Sequence, residues 1–189
     1  MESESNYNPD KERPKILYHA TENSDLEKIS ALQRSYRDEQ EGPKVFATPE
    51  LQTAAFFISR KVKESGRFGE TPYAVIVGDR DEFIETDQGG TVYEFSSEGF
   101  ITDPQKGLGE SEWTNDQDVI PNNKTVYPSS LQFMLDQGVQ VYFVSPDQYK
   151  NIKDSDDHGL EILQSLKSEN ELKSINFRSL KDYVESDAE

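Results

Sequence analysis

Cysteine is absent from the 189-residue chain, which excludes disulfides, thiolate-held metals and cysteine nucleophiles. Histidine occurs only twice, and neither a His-Glu-x-x-His pattern nor an EF-hand spacing is present, so no protein-built zinc or calcium site is expected. The acidic run "DSDDH" at 154 to 158 reads as a solvated turn. Positive charge is scarce: 20 Lys and Arg stand against 37 Asp and Glu, for a net charge of −17 at pH 7. A surface of that sign repels phosphate backbones and anionic membranes, so neither duplex nucleic acid nor a membrane is an expected partner. No glycine-rich phosphate loop of the GxGxxG or GxxxxGK[ST] kind follows a strand pattern, which removes support for the common ATP and NAD folds. Long apolar runs are missing too, and the first residues, "MESESNYNPDKER", are polar and acidic. The expectation is a cytoplasmic protein with no span and no secretory leader.

The chain does contain material for a core, with 10 Phe and 9 Tyr placed between polar stretches. Residues 1 to 13 lack periodicity and read as a disordered acidic tail. "KILYHA" reads as a buried strand, and "SDLEKISALQ" as a helix with Ser24 and Glu27 at capping-box spacing. A polar loop and Gly42-Pro43 lead into the strand "KVFAT", after which Thr48 and Pro49 predict a helix carrying Leu51, Ala54, Ala55, Ile58 and Val62. Short β-like runs follow at 73 to 77, 82 to 86, 91 to 95 and 99 to 102. Later come "SEWTNDQDVIP" and "KTVYP" as strands, "SLQFMLDQ" as a helix and "VQVYFVS" as a strand. This order predicts an α+β fold with a mainly antiparallel, split sheet and flanking helices over residues 14 to 153. Residues 154 to 189 read as a C-terminal helical extension, with Leu160, Leu163 and Leu166 on one stripe and Leu172, Ile175 and Leu180 on another.

His19 stands out by its position at the end of an apolar strand. Strand alternation puts it on the face of Leu17, opposite Ile16 and Tyr18. There an imidazole can exchange a hydrogen bond with a ligand hydroxyl, with the Ala20 backbone and the Thr21 hydroxyl beside it. It can equally bridge two backbone groups and do nothing more. Trp113 can stack on an aromatic base or fill the core. For an anionic ligand the local basic residues are Arg34 and Arg37 in "QRSYR", and Arg60, Lys61, Lys63 and Arg67 in "SRKVKESGR".

"LYHAT", a helix, a polar loop and then "VFATPELQTAAFF" together resemble the first half of the ADP-ribosyltransferase-like fold, of the branch that opens with His. The chain is also similar to small uncharacterised bacterial and phage proteins that carry a "VYAT" strand and a late "EW". The resemblance covers about residues 15 to 60 and 110 to 145. It implies NAD as the ligand, with His19 on a ribose hydroxyl, the Ala20 backbone on the nicotinamide amide, Thr21 beside them, and Thr48 and Ala54 in the second element. Arg34 and Arg37 then fall in the loop that covers the cleft, next to the pyrophosphate. Glu112 takes, by position, the place of the carboxylate that steadies the positive sugar as nicotinamide leaves, with Trp113 next to it. Ala20 stands where the family has Gly, and the Glu-x-Glu or Gln-x-Glu pattern is missing at Glu112. Two functions are therefore carried forward. One is an NAD-binding protein that transfers ADP-ribose or hydrolyses NAD without a metal. The other is a catalytically inactive acidic interaction protein, of phage or mobile-element type, that binds a protein partner through its acidic surface or C-terminal helices.

Overall fold

The computed structural model describes residues 13–31, 42–103, 109–157 and 159–170. The architecture is α+β, and the chain divides into two compact units that interleave in sequence. The first takes the chain up to Ile58 together with Gly90–Tyr127, and the second takes Ser59–Gly89 and the chain from Pro128 onward.

The first unit is antiparallel throughout. Strand β1 (Ile16–Thr21) pairs with β5 (Gly90–Ser96), which pairs with β8 (Asn123–Tyr127). Strand β2 (Val45–Ala47) pairs with β7 (Trp113–Asn115), which pairs with β6 (Ile101–Thr102). An isolated bridge, Tyr18 to Thr48, ties these two three-stranded sheets along β1 and β2. The two ladders of this unit thus touch at one rung. Leu17, Val45, Ala47, Tyr93, Phe95, Phe100 and Trp113 form the core on one face.

Over its described residues, 24–31, the segment read as a first helix is not one. Its backbone groups are claimed by tertiary partners that a helix would forbid: Leu26 N donates to the Tyr93 hydroxyl at 3.1 Å, Ile29 bridges Val119, and Ala31 N donates to Asp118 at 3.1 Å. The next helix is short: α1 spans Leu51–Ala55, with Thr53, Ala54 and Ala55 buried, and it packs against β1. Val62, expected on its stripe, instead opens the strand β3 (Val62–Phe68).

The second unit holds a mixed sheet: β3 (Val62–Phe68) runs antiparallel to β4 (Thr71–Val77), and β9 (Gln140–Val144) runs parallel to β4. The continuous apolar run in β4 fits its central position, since residues 73 to 76 are buried on both faces. "EFIET" is helical rather than extended. Asp79 caps α2 (Arg80–Thr86) by accepting from the N–H groups of Asp81 and Glu82, and Phe83 anchors the helix by an edge contact with Phe143. Asp87 takes four bonds, from Gly89 N, Leu131 N and the hydroxyls of Ser129 and Ser130, and so fixes the start of α3 (Ser130–Asp136). Those bonds hold its carboxyl below the usual range although burial pushes it up.

A helix not expected from sequence, α4 (Pro146–Asp154), begins with a complete capping box between Ser145 and Gln148. It runs across the boundary expected at 153, and α5 (Leu160–Ser165) places Leu163, fully buried, among Val75, Tyr142, Val144 and Ile152. Residues 168 to 170 are tied to the same body. Ser168 donates to Gln140 at 2.6 Å, Glu169 accepts from Arg80 at 2.6 Å, and Asn170 accepts from Val141 N at 3.2 Å. The chain to residue 170 is therefore part of this unit's core, not an appendage, while the expected second stripe from Leu172 lies outside the described residues. Leu163→Ala is expected to lower unfolding stability by about 2–5 kcal/mol, as a large buried deletion does. Urea denaturation monitored by far-UV circular dichroism measures it, and a loss below about 0.5 kcal/mol would mean that α5 is not core.

Candidate functional site

The site sits where β1 and β2 part. Tyr18 and Thr48 exchange both backbone bonds, Tyr18 N to Thr48 O at 2.7 Å and Thr48 N to Tyr18 O at 2.9 Å. Two residues further, an antiparallel ladder would next join Ala20 to Phe46. The bridge stays isolated, and the carbonyl of Phe46 is instead met by His19, whose Nδ1 lies 2.8 Å from it. A carbonyl oxygen only accepts, so Nδ1 carries the proton, and a neutral ring then has its lone pair on Nε2. Burial pushes the His19 imidazole below its ordinary 6.5, and the bond to Phe46 offsets this in part. The result is a half-buried, neutral histidine with a fixed tautomer and an acceptor at Nε2.

His19 pairs across β1 and β5 with the fully buried Tyr93, and Leu17 pairs with Phe95, so His19 shares the core face with Leu17 as alternation predicts. Thr21 is on that face too, opposite Thr91, and its Oγ1 accepts from Asn23 N at 3.3 Å. Ala20 is buried on the reverse face opposite Val92. Thr48 is buried and uses its Oγ1 locally, accepting from Glu50 N at 3.2 Å. Ala54 is buried in α1. Arg34 and Arg37 lie outside the described residues.

Glu112 directly precedes β7, and its N–H closes a turn onto Gly109 O at 3.0 Å. Strand β7 pairs Ala47 with Trp113, and the ladder stops there, just after Glu112. The one bridge between β1 and β2 among the described residues, Tyr18 to Thr48, brings together the strand ends that carry His19 and Thr48. Near Glu112 lies a carboxylate the sequence reading did not single out: Glu50 accepts from the hydroxyls of Thr53 at 2.8 Å and Ser111 at 3.4 Å.

Trp113 is buried, and the guanidinium of Arg13 lies over its ring, 5.5 Å from the centroid, while donating to Ser97 O at 2.8 Å. The ring is thus packed in the core with one face covered. Its Nε1–H is buried without a hydrogen-bond partner, and so is the hydroxyl of Thr91. Such groups each cost about 1–3 kcal/mol when left unpaired. Thr91 appeared in sequence only as part of a strand, because an orphaned hydroxyl is visible only after its neighbours are placed.

Among the described residues no group of three or more His, Cys, Asp or Glu is placed to hold a metal, and no helix is long and apolar enough to cross a membrane. Compared with known proteins, the chain matches no family model, no curated protein and no solved structure.

The imidazole makes the fold sensitive to acid. A histidine whose folded pKa is lowered contributes stability that is fully present above its unfolded value of 6.5 and is lost as pH falls through the folded value. Unfolding free energy is expected to drop on going from pH 7 to pH 5, and less so in His19→Asn, which retains a donor for the Phe46 carbonyl but does not titrate. Parallel denaturant titrations at the two pH values test it, and equal drops would assign the acid sensitivity to other groups.

Proposed function

We propose that the first unit binds NAD or a related nucleotide where β1 and β2 part. The observation that supports this most is the neutral His19, held by the Phe46 carbonyl at the end of the Tyr18 to Thr48 bridge so that Nε2 is left as an acceptor. A neutral acceptor suits a ribose hydroxyl, which can donate to it, and not a phosphate oxygen, whose lone pairs it would oppose. The two-strand split, the small buried Ala54 beneath β1 and the Thr48 strand end agree with the resemblance drawn from sequence. On this reading Ala20 offers its backbone to the ligand amide, and any catalysis is transfer of ADP-ribose to an acceptor or hydrolysis of NAD, with Glu112 stabilising the positive charge on the sugar.

A second reading has its own support. The missing Glu-x-Glu or Gln-x-Glu pattern at Glu112 favours a site that binds without reacting, and the net charge of −17 suits a basic protein partner. Under it the chain is an acidic interaction protein built on the same fold.

Calorimetric titration with NAD, ADP-ribose and AMP separates the readings when it is combined with Glu112→Gln and a nicotinamide-release assay. Nucleotide binding by the native protein is expected, weakened about tenfold or more in His19→Ala because a paired polar contact is lost. A transferase or hydrolase releases nicotinamide at a rate that falls about 10²-fold or more in Glu112→Gln, with affinity nearly unchanged. Binding with no release in either protein selects the second reading, and absence of binding to all three nucleotides rejects the first.

A further inference from the structure

The basic stretch "SRKVKESGR" plays no part in the nucleotide reading, and the second unit gives it a place of its own. Lys61 and Lys63, from the start of β3, line a cavity of about 180 Å³ that lies at the carboxyl end of β4. All of its lining residues belong to the second unit. Ile76 and the buried Phe83 give it an apolar floor, and Gly78, Asp79 and Glu82 line it from the start of α2.

The topology sets this end of the sheet apart. Strands β4 and β9 run parallel, and Gly78 N carries their ladder one bond further, to Val144 O at 3.0 Å. The helices that follow them lie on opposite faces: α2 sets Phe83 against Phe143, while α4 sets Ile152 among Val75, Tyr142 and Val144. Open α/β sheets bind ligands beyond the carboxyl ends of parallel strands whose connections part in this way. The cavity lies at that end, on the α2 face. Gly78 has φ 139°, where glycine is favoured, and nothing lies within 4 Å of where its Cβ would stand, so the backbone there is uncovered.

The charges around the cavity do not neutralise one another. Among the described residues neither Lys61 nor Lys63 is ion-paired, although the chain carries 37 acidic residues. Lys61 Nζ is held 5.0 Å from the centroid of the Phe83 ring and donates to the Thr86 hydroxyl. Lys63 donates to the carbonyl of Arg60 at 3.2 Å. It is the extra residue of a β-bulge, since Val62 pairs with Ile76 and Glu64 with Val75, and bulges re-aim side chains beside active sites. Each ammonium has three donors and uses one. Facing α2, Asp79 accepts both of its capping bonds through Oδ1, which leaves Oδ2 for another donor, and the Glu82 carboxylate makes no bond among the described residues.

A cavity with ammonium groups, carboxylates and an apolar floor complements a molecule that carries both charges on a short apolar frame. A lone anion would meet Asp79 and Glu82, and a lone cation would meet the two lysines. The volume is below the roughly 300–1,000 Å³ of drug-sized pockets, so the ligand is small. We propose that this cavity binds a free amino acid with a medium-sized apolar side chain, its carboxylate on Lys61 and Lys63, its ammonium on Asp79 and Glu82, and its side chain against Ile76 and Phe83. This does not rest on the nucleotide reading.

The test is calorimetric titration of the full chain with L-leucine, with isocaproate, which lacks the ammonium, and with isopentylamine, which lacks the carboxylate. Leucine is expected to bind with a Kd of about 1 mM or tighter, and each analogue about tenfold more weakly. Lys63→Met and Glu82→Gln, both at exposed positions where the fold tolerates change, are each expected to weaken leucine about fivefold or more. Absence of leucine binding by the native protein overturns the proposal. So does either analogue binding as tightly as leucine, since one charge then suffices. Unchanged leucine affinity in both variants also overturns it, because the ligand then sits elsewhere.

Discussion

The hydrogen bond from His19 to the carbonyl of Phe46 is the constraint on which the first unit depends. Two strands that pair at Tyr18 and Thr48 would, by ordinary ladder geometry, go on to pair at Ala20 and Phe46. Stopping the ladder leaves polar backbone groups that require other partners inside a protein. The imidazole supplies one of them from the side chain, so β1 can leave β2 and continue along β5 without abandoning a buried acceptor. A histidine suits this role because its second nitrogen stays available after the first is engaged. An asparagine could hold the carbonyl, but it would present no comparable acceptor on the far side of a ring.

The same pairing decides what the site offers chemically. Alternation along β1 carries the imidazole to the core face with Leu17, where Trp113 also packs. The face with His19 is poor in charge and rich in groups that make single directional bonds. The face with Thr48 has carboxylates held near hydroxyls, as Glu50 is between Thr53 and Ser111.

Much of this was legible from residue order. The period-two pattern of "KILYHAT" places Leu17 and His19 on one face, as the pairing of β1 with β5 has them. The errors came where tertiary partners outbid local preference. "SDLEKISALQ" has helical spacing, yet Tyr93 and Asp118 take its backbone groups. "EFIET" reads as a short β-like run, but Asp79 two residues before Asp81 caps a helix. The helix after Ser145 carries its signal in Pro146 and Gln148, while its only large apolar residues are Tyr149 and Ile152. The unpartnered Thr91 and Trp113 had no signature at all, since an orphaned atom is a property of three-dimensional surroundings.

The interleaving of the two units bears on how the chain reaches its fold. Strand β1 requires β5 and β2 requires β7, so the first unit is incomplete until Trp113–Asn115 has been made, by which point the whole of β3, β4 and α2 has already been synthesised. Strand β4 in turn waits for its parallel neighbour β9, at Gln140–Val144. Neither unit is a contiguous stretch, and each must close a loop that contains a substantial part of the other, a loss of entropy that grows slowly with loop length but slows the search for partners. During synthesis the apolar strand "TPYAVIV" is therefore exposed before its second edge is covered. The acidic character of the chain then acquires a use unrelated to any ligand: a strong like charge keeps such half-finished chains apart while their distant strands are still being made.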